Sequence, residues 1–183
     1  MSDDPRVATV NEHMRLENAH DFSGCIGEFT RAKYEVIADG GLFDGPDRVN
    51  DFLSENVKAF PDFKFLPSRV SPATDAVLVE GRFTGTHLGT WRGLPATGKK
   101  VDFPMCLVFD FEGEAMVSER LYFDLSSPLR QLGVADDPNS LRGKATIILT
   151  HPVAIMKAVL RNLRLAGQGR TRRIAGSESS PTS

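Results

Sequence analysis

The stretch ERLYFDLSSPLRQLG, residues 119–133, sets a carboxylate, Asp124, at the end of an apolar strand-like run. Strand alternation puts Met116, Arg120, Tyr122 and Asp124 in one phase and Val117, Leu121 and Phe123 in the other. A carboxylate kept from water in an apolar wall holds its proton more tightly. It can then both take and return a proton, which is general acid–base chemistry. Plainer readings fit the same residues. Arg120 and Asp124 form a structural ion pair, Tyr122 is packing, or Asp124 caps the helix that begins in LSSP. The second candidate is His87. It shares its strand phase with Val77, Val79 and Phe83, so it is expected to face inward, as a polar group in a pocket or as a hydrogen-bonded core histidine.

The elements that must position these residues follow from periodicity. Pro5–Ala19 reads as a helix with Val7, Val10 and Met14 on one face, and Asp21 can cap a second helix carrying Phe22, Cys25, Ile26 and Phe29. KYEVIADGG reads as a short strand. FDGPDRVNDFLSENVKAFPD reads as a helix entered at Pro46 and stopped at Pro61. From there the period becomes two. DFKFLPSRV, DAVLVEGRFTGTH, KKVDFPMCLVFDFEG and AMVSERLYFD are four strands separated by turn-forming residues. Helices first and a meander of long strands after predict an α+β fold, a curved antiparallel sheet wrapped over the N-terminal helices. SSPLRQLG closes this body at residue 133. Residues 134–150 read as a linker, 151–166 as a basic amphipathic helix, and 167–183 as a polar disordered tail.

Composition narrows the function classes. The 183 residues carry a net charge of −2, which implies no general affinity for nucleic acid. The charge is uneven: residues 134–183 hold eight Lys/Arg against three Asp/Glu, and the acidic excess lies in the body. The basic helix is a weak pointer to a membrane surface or a partner. Cys25 and Cys106 lack metal-ligand spacing and read as buried free thiols; no metal site is expected. MSDDPRVATV is acidic and has no apolar core, so it does not read as a signal peptide, and a cytoplasmic protein is expected.

Three segments together resemble one family. FDGPDRVNDFLSENVKAFPDF, VEGRFTGTHLGTWRGLPATGKKVDFP and ERLYFDLSSPLRQLG look like the SnoaL-like polyketide cyclases, often labelled ester cyclases, of the nuclear-transport-factor-2-like superfamily. The likeness spans roughly residues 5–133. It implies a cone-shaped α+β barrel enclosing a pocket for a small hydrophobic carbonyl compound, a homodimer, and no metal or organic cofactor. It also implies an aspartate at the Asp124 position that serves as acid and base in an intramolecular aldol ring closure, with His87 able to hydrogen-bond the developing enolate oxygen. The expected pocket set around them is Arg120, Tyr122, Phe83, Trp91, Phe103 and Met105. Cyclases of the group carry an aromatic, histidine-rich stretch before the aspartate, where this chain has Arg120 and Tyr122. Arg120 beside Asp124 would lower its pKa, or would bind an anionic group of the ligand. The expected function is cyclase- or isomerase-like proton transfer; the alternative is a non-catalytic ligand-binding module of the same fold.

Overall fold

A curved sheet of six strands organises residues 1–135, one of two compact units in the computed structural model. The structure describes residues 4–137, 139–158 and 160–161. Helix α1 (Pro5–Asn18) starts on Asp4, whose side chain accepts from the Arg6 N–H. Helix α2 (Phe22–Gly27) starts on Asp21, which accepts from the Gly24 N–H. A hairpin of β1 (Lys33–Val36) and β2 (Gly41–Asp44) leads into α3 (Pro46–Ala59). The meander follows as β3 (Lys64–Pro72), β4 (Ala76–Thr86), β5 (Lys100–Glu112) and β6 (Ala115–Phe123), closed by α4 (Ser126–Leu132). The sheet order is β2-β1-β6-β5-β4-β3. The mixed α+β architecture expected from the sequence is therefore the one observed, with one addition. The strand read in KYEVIADGG is half of a hairpin, and β1 joins β6 in parallel, Tyr34 opposite Glu119.

The concave face carries the core. Along β4 the odd positions Val77, Val79, Gly81 and Gly85 are buried, as are Val101, Phe103, Met105, Leu107, Phe109 and Phe111 along β5. Two glycines let aromatic rings lie on the sheet. A Cβ at Gly81 would sit 2.5 Å from the Phe65 ring, and one at Gly85 would meet Phe60 at 3.1 Å. Asn18 clamps the end of α1 to the edge strand β3: its Nδ2 donates to the Phe65 carbonyl and its Oδ1 accepts from the Phe65 N–H, both at 2.8 Å.

In β6 the register shifts against β5, so that Asp110 faces Ser118 while Phe111 faces Met116. The extra residue between them is a β-bulge, which moves Met116 to the opposite phase from Arg120, Tyr122 and Asp124. The inward set is Met116, Glu119, Leu121 and Phe123.

In the second unit, residues 136–183, the stretch read as a linker contains helix α5 (Leu141–Thr150), started by Ser140, whose hydroxyl accepts from the Gly143 N–H at 2.9 Å. The linker expectation for 134–150 is corrected accordingly: LRGKATIILT has no internal Pro and enough Leu, Ala and Ile to sustain a helix. Residues 152–158 and 160–161 are also helical. The rest of the expected 151–166 helix and the 167–183 tail lie outside the described residues. No helix among the described residues is long and apolar enough to cross a membrane.

Candidate active site

The concave side encloses a cavity of about 60 Å³. Its wall is mostly aromatic: Phe60, Phe63, Phe65, Phe83, Phe103 and Phe123, with Trp91, Met105 and Leu107. Two carboxyl groups interrupt it, Glu17 from α1 and Glu119 from β6. Of the residues expected there, Phe83, Trp91, Phe103 and Met105 are on this wall; Asp124, His87, Arg120 and Tyr122 are not.

Asp124 is the main correction. The expected burial is absent, for its side chain is 57% exposed. It accepts from the Ser126 hydroxyl at 2.6 Å, the Ser126 N–H at 2.9 Å and the Ser127 hydroxyl at 2.8 Å, and it meets Arg130 at 3.2 Å. These donors, the Ser126 hydroxyl first, hold its pKa at about 2. The plainer reading, a carboxylate organising the start of α4, is the one the geometry supports. A group held so far toward ionisation is a weak base. Asp124→Asn is therefore expected to leave turnover and ligand binding within about twofold of wild type and to lower Tm slightly, by weakening an exposed helix start. The sign with pH follows. A carboxyl whose folded pKa lies below its ordinary 3.8 adds stability above pH 3.8, and that stability is lost as pH falls through about 2. The Tm difference between wild type and variant should vanish there.

Arg120 and Tyr122 also lie on the outer face. Arg120 binds Asp110 of β5 through two hydrogen bonds, 2.9 and 2.5 Å, and donates to the Tyr122 hydroxyl at 3.2 Å. The ion pair expected within β6 is instead made across to β5, because Leu121 and Phe123 hold the inward phase. Cys106 is half-buried rather than buried, while Cys25 is in the core.

His87 points inward and is fully buried, but it sits behind the wall. Its ring packs on Phe60 at 5.2 Å between centroids, and Phe60 is the residue that faces the cavity. Nδ1 accepts from the Thr97 N–H at 3.2 Å, so the ring proton resides on Nε2, which has no partner among the described residues. Burial lowers its pKa.

The groups able to do chemistry come from α1, β1 and β6. Val10, His13, Met14 and Glu17 follow the i, i+3, i+4, i+7 spacing of one helix face. Buried His13 approaches Glu119 with Nε2 at 3.2 Å from a carboxylate oxygen, and the same nitrogen lies 2.9 Å from the Tyr34 hydroxyl. Nδ1 donates to the Cys25 carbonyl at 3.2 Å, and the Phe29 and Phe109 rings pack edge-on against the imidazole. Burial works against a charge on His13. Its hydrogen bonds to Cys25 and Glu119, with the charge of Glu119, outweigh that and hold its pKa well above the ordinary value. Glu17 lies 3.9 Å from His13 and within 4.8 Å of Glu119. Burial first, and then the negative charge of Glu119, push its pKa up to about 8. Near neutral pH the wall thus presents a protonated Glu17 beside Glu119, which is hydrogen-bonded to a protonated His13. Carboxylate and imidazole ligands at these separations are also the donor types of a divalent-cation site.

The SnoaL-like polyketide cyclase profile matches residues 13–132, which begin at His13 and take in both glutamates. The chain belongs to that family. Solved structures agree on the fold. AclR from Streptomyces galilaeus is 21% identical over 74% of this chain and 100% of its own, with a TM-score of 0.63. TsrD from Streptomyces laurentii is 18% identical over 73% and 99%, with a TM-score of 0.61. A protein with a ketosteroid isomerase-like fold from Catenulispora acidiphila, solved with trimethylamine, is 20% identical over 69% and 92%, with a TM-score of 0.58. No curated protein is significantly similar to the chain. Within this SnoaL-like chain, sequence reasoning missed His13, Glu17, Tyr34 and Glu119. The phase shared by Glu119, Leu121 and Phe123, and the helical stripe through His13 and Glu17, were the available signals.

Proposed function

We propose that this SnoaL-like protein catalyses proton transfer on a carbonyl compound, of the kind that opens an intramolecular aldol closure, with Glu119 as base and Glu17 as acid. One observation carries the reading: two carboxyl groups share one apolar wall, and burial together with the negative charge of Glu119 leaves Glu17 holding its proton, which is how one site holds an acid and a base together. Glu119 takes a proton from the carbon next to the carbonyl. Glu17 donates a hydrogen bond to the oxygen on which negative charge develops. The enolate carbon then attacks a second carbonyl carbon, and the new alkoxide takes the proton from Glu119, so that no net proton is consumed. Tyr34 and the Cys25 carbonyl fix the ring of His13, and His13 hydrogen-bonds Glu119 and holds its carboxyl group in place.

The test is exchange of a carbon-bound proton. Wild-type protein in deuterated buffer should accelerate exchange at C1 of 2-tetralone, followed by NMR, and Glu119→Gln should return the rate to that of buffer. No acceleration by wild type with 2-tetralone or a cyclic 1,3-diketone would overturn the proposal. The non-catalytic alternative predicts binding of the same ketones with no exchange.

A further inference from the structure

At about 60 Å³ the cavity holds a few waters but not an organic ligand of ordinary size, so whatever separates it from outside decides what enters. Outside lies a depression of about 700 Å³. Phe52, Asn56, Trp91 and Arg92 line both spaces and form the partition.

Trp91 and Arg92 are held there by a tight turn. Trp91 and Leu94 exchange backbone hydrogen bonds at 3.0 and 2.8 Å, and the central residues Arg92 (φ 52°) and Gly93 (φ 78°) both take the left-handed conformation such a turn requires. The loop is fastened just before the turn. The Gly89 N–H donates to the Ala59 carbonyl at 3.1 Å, and a Cβ at Gly89 would lie 2.1 Å from the Lys58 carbonyl oxygen. The Arg92 guanidinium lies over the Trp91 ring, 5.2 Å from its centroid, and pairs with Asp39 in the turn between β1 and β2. Of the residues lining the inner cavity, Glu17 and Glu119 are the acids and Arg92 is the cation.

We infer that Arg92 is the anion receptor of the ligand site, so that the protein selects carbonyl compounds bearing a carboxylate, which replaces Asp39 on the guanidinium. The inference rests on the cavity being the ligand site, as the proposed function has it. Arginine stays charged, and its fork matches any carboxylate. A carboxylate ligand exchanges one such partner for another. A neutral ligand of the same shape gains nothing from Arg92 and, if it displaces Asp39, leaves the cation without a counter-charge. Asp39 is then a competitor for the site, held in place while the site is empty.

Trp91 is the single tryptophan of the chain, so its fluorescence reports on the partition directly. The test compares 3-phenylpropanoate with 3-phenylpropanamide by titration of the full chain. Wild type should bind the acid about tenfold tighter than the amide, the usual worth of a charged hydrogen-bonded pair. Arg92→Gln should abolish that preference by weakening the acid alone, and Arg92→Lys should keep part of it. Asp39→Asn should tighten the acid by about tenfold and leave the amide unchanged. Equal affinities for acid and amide in wild type, or an Asp39→Asn variant that weakens both alike, would overturn the role of Arg92 while leaving the acid–base reading intact. Binding of neither probe overturns both.

Discussion

Glu119→Gln should lower the rate of catalysed proton exchange by about 10²–10⁴-fold, the usual contribution of a positioned general base. The variant keeps the volume of the side chain and one acceptor oxygen for His13. It removes the basic carboxylate and, with it, the charge that keeps His13 protonated. Stability should fall too, because removing one partner of a buried ion pair costs roughly 3–5 kcal/mol. His13 can escape part of that cost by releasing its proton. In the variant it then behaves as a buried neutral histidine, and its folded pKa drops below the ordinary 6.5. The unfolded chain binds that proton below pH 6.5, so the variant should lose further stability as the medium becomes more acidic. The signature is a Tm gap between wild type and variant that widens from pH 7 to pH 5. A gap that is constant or narrows would mean that Glu119 does not hold the imidazolium.

Glu17→Gln should behave in the opposite way. The amide mimics the neutral carboxyl, so Tm should match wild type below about pH 4.5, where that carboxyl is neutral in both folded and unfolded states, and should exceed wild type at pH 7, while exchange activity falls because the acid is gone. The difference grows as pH rises from about 4.5 to about 8. A carboxyl whose folded pKa is raised to about 8 from an ordinary 4.5 leaves the folded state holding more protons than the unfolded state between those values. Its contribution to stability is full below pH 4.5, declines as pH rises, and is exhausted above about pH 8. The raised His13 acts with the same sign: its contribution is present below 6.5 and lost as pH rises through its folded value. Wild type should therefore lose Tm steadily from about pH 5 to pH 8, and Glu17→Gln should flatten that slope without removing the part due to His13. If the two proteins keep parallel Tm curves across this range, Glu17 is not protonated in the cavity and its role as acid falls.

The helices and the meander were legible because their signals are local. Pro5, Asp21 and Pro46 mark helix starts, and strand alternation around Val77 and Val79 survives unbroken along β4. What could not be read was non-local. The single extra residue in β6 is visible only against its partner β5, yet it sets which phase of SERLYFD faces the core. Glu119 looks like an ordinary solvent-facing charge until His13, from the other end of the domain, is placed beside it. Asp124 drew attention because it follows Tyr122 and Phe123, but Ser126 and Ser127 had the stronger claim on it, and they are its immediate neighbours. The Trp91–Arg92 turn was legible as a turn from its glycine, not as a partition, since Asp39 lies more than fifty residues away along the chain.

The parallel pairing of β1 with β6 has a consequence for how the protein comes into being. His13 and Glu119 are 106 residues apart, and Tyr34 must wait for the same strand. A chain emerging from the ribosome makes α1, the β1–β2 hairpin and α3 long before the edge that β1 joins has been synthesised. Closing a loop of this length carries an entropic cost that no local contact repays, so β6 is expected to dock late and slowly. Until it does, His13 lacks its Glu119 partner, the aromatic wall lies open to water, and the β1 edge is free to pair with another chain. The last strand to be translated is therefore the one expected to close the domain, and the His13–Glu119 contact comes into existence only in that step.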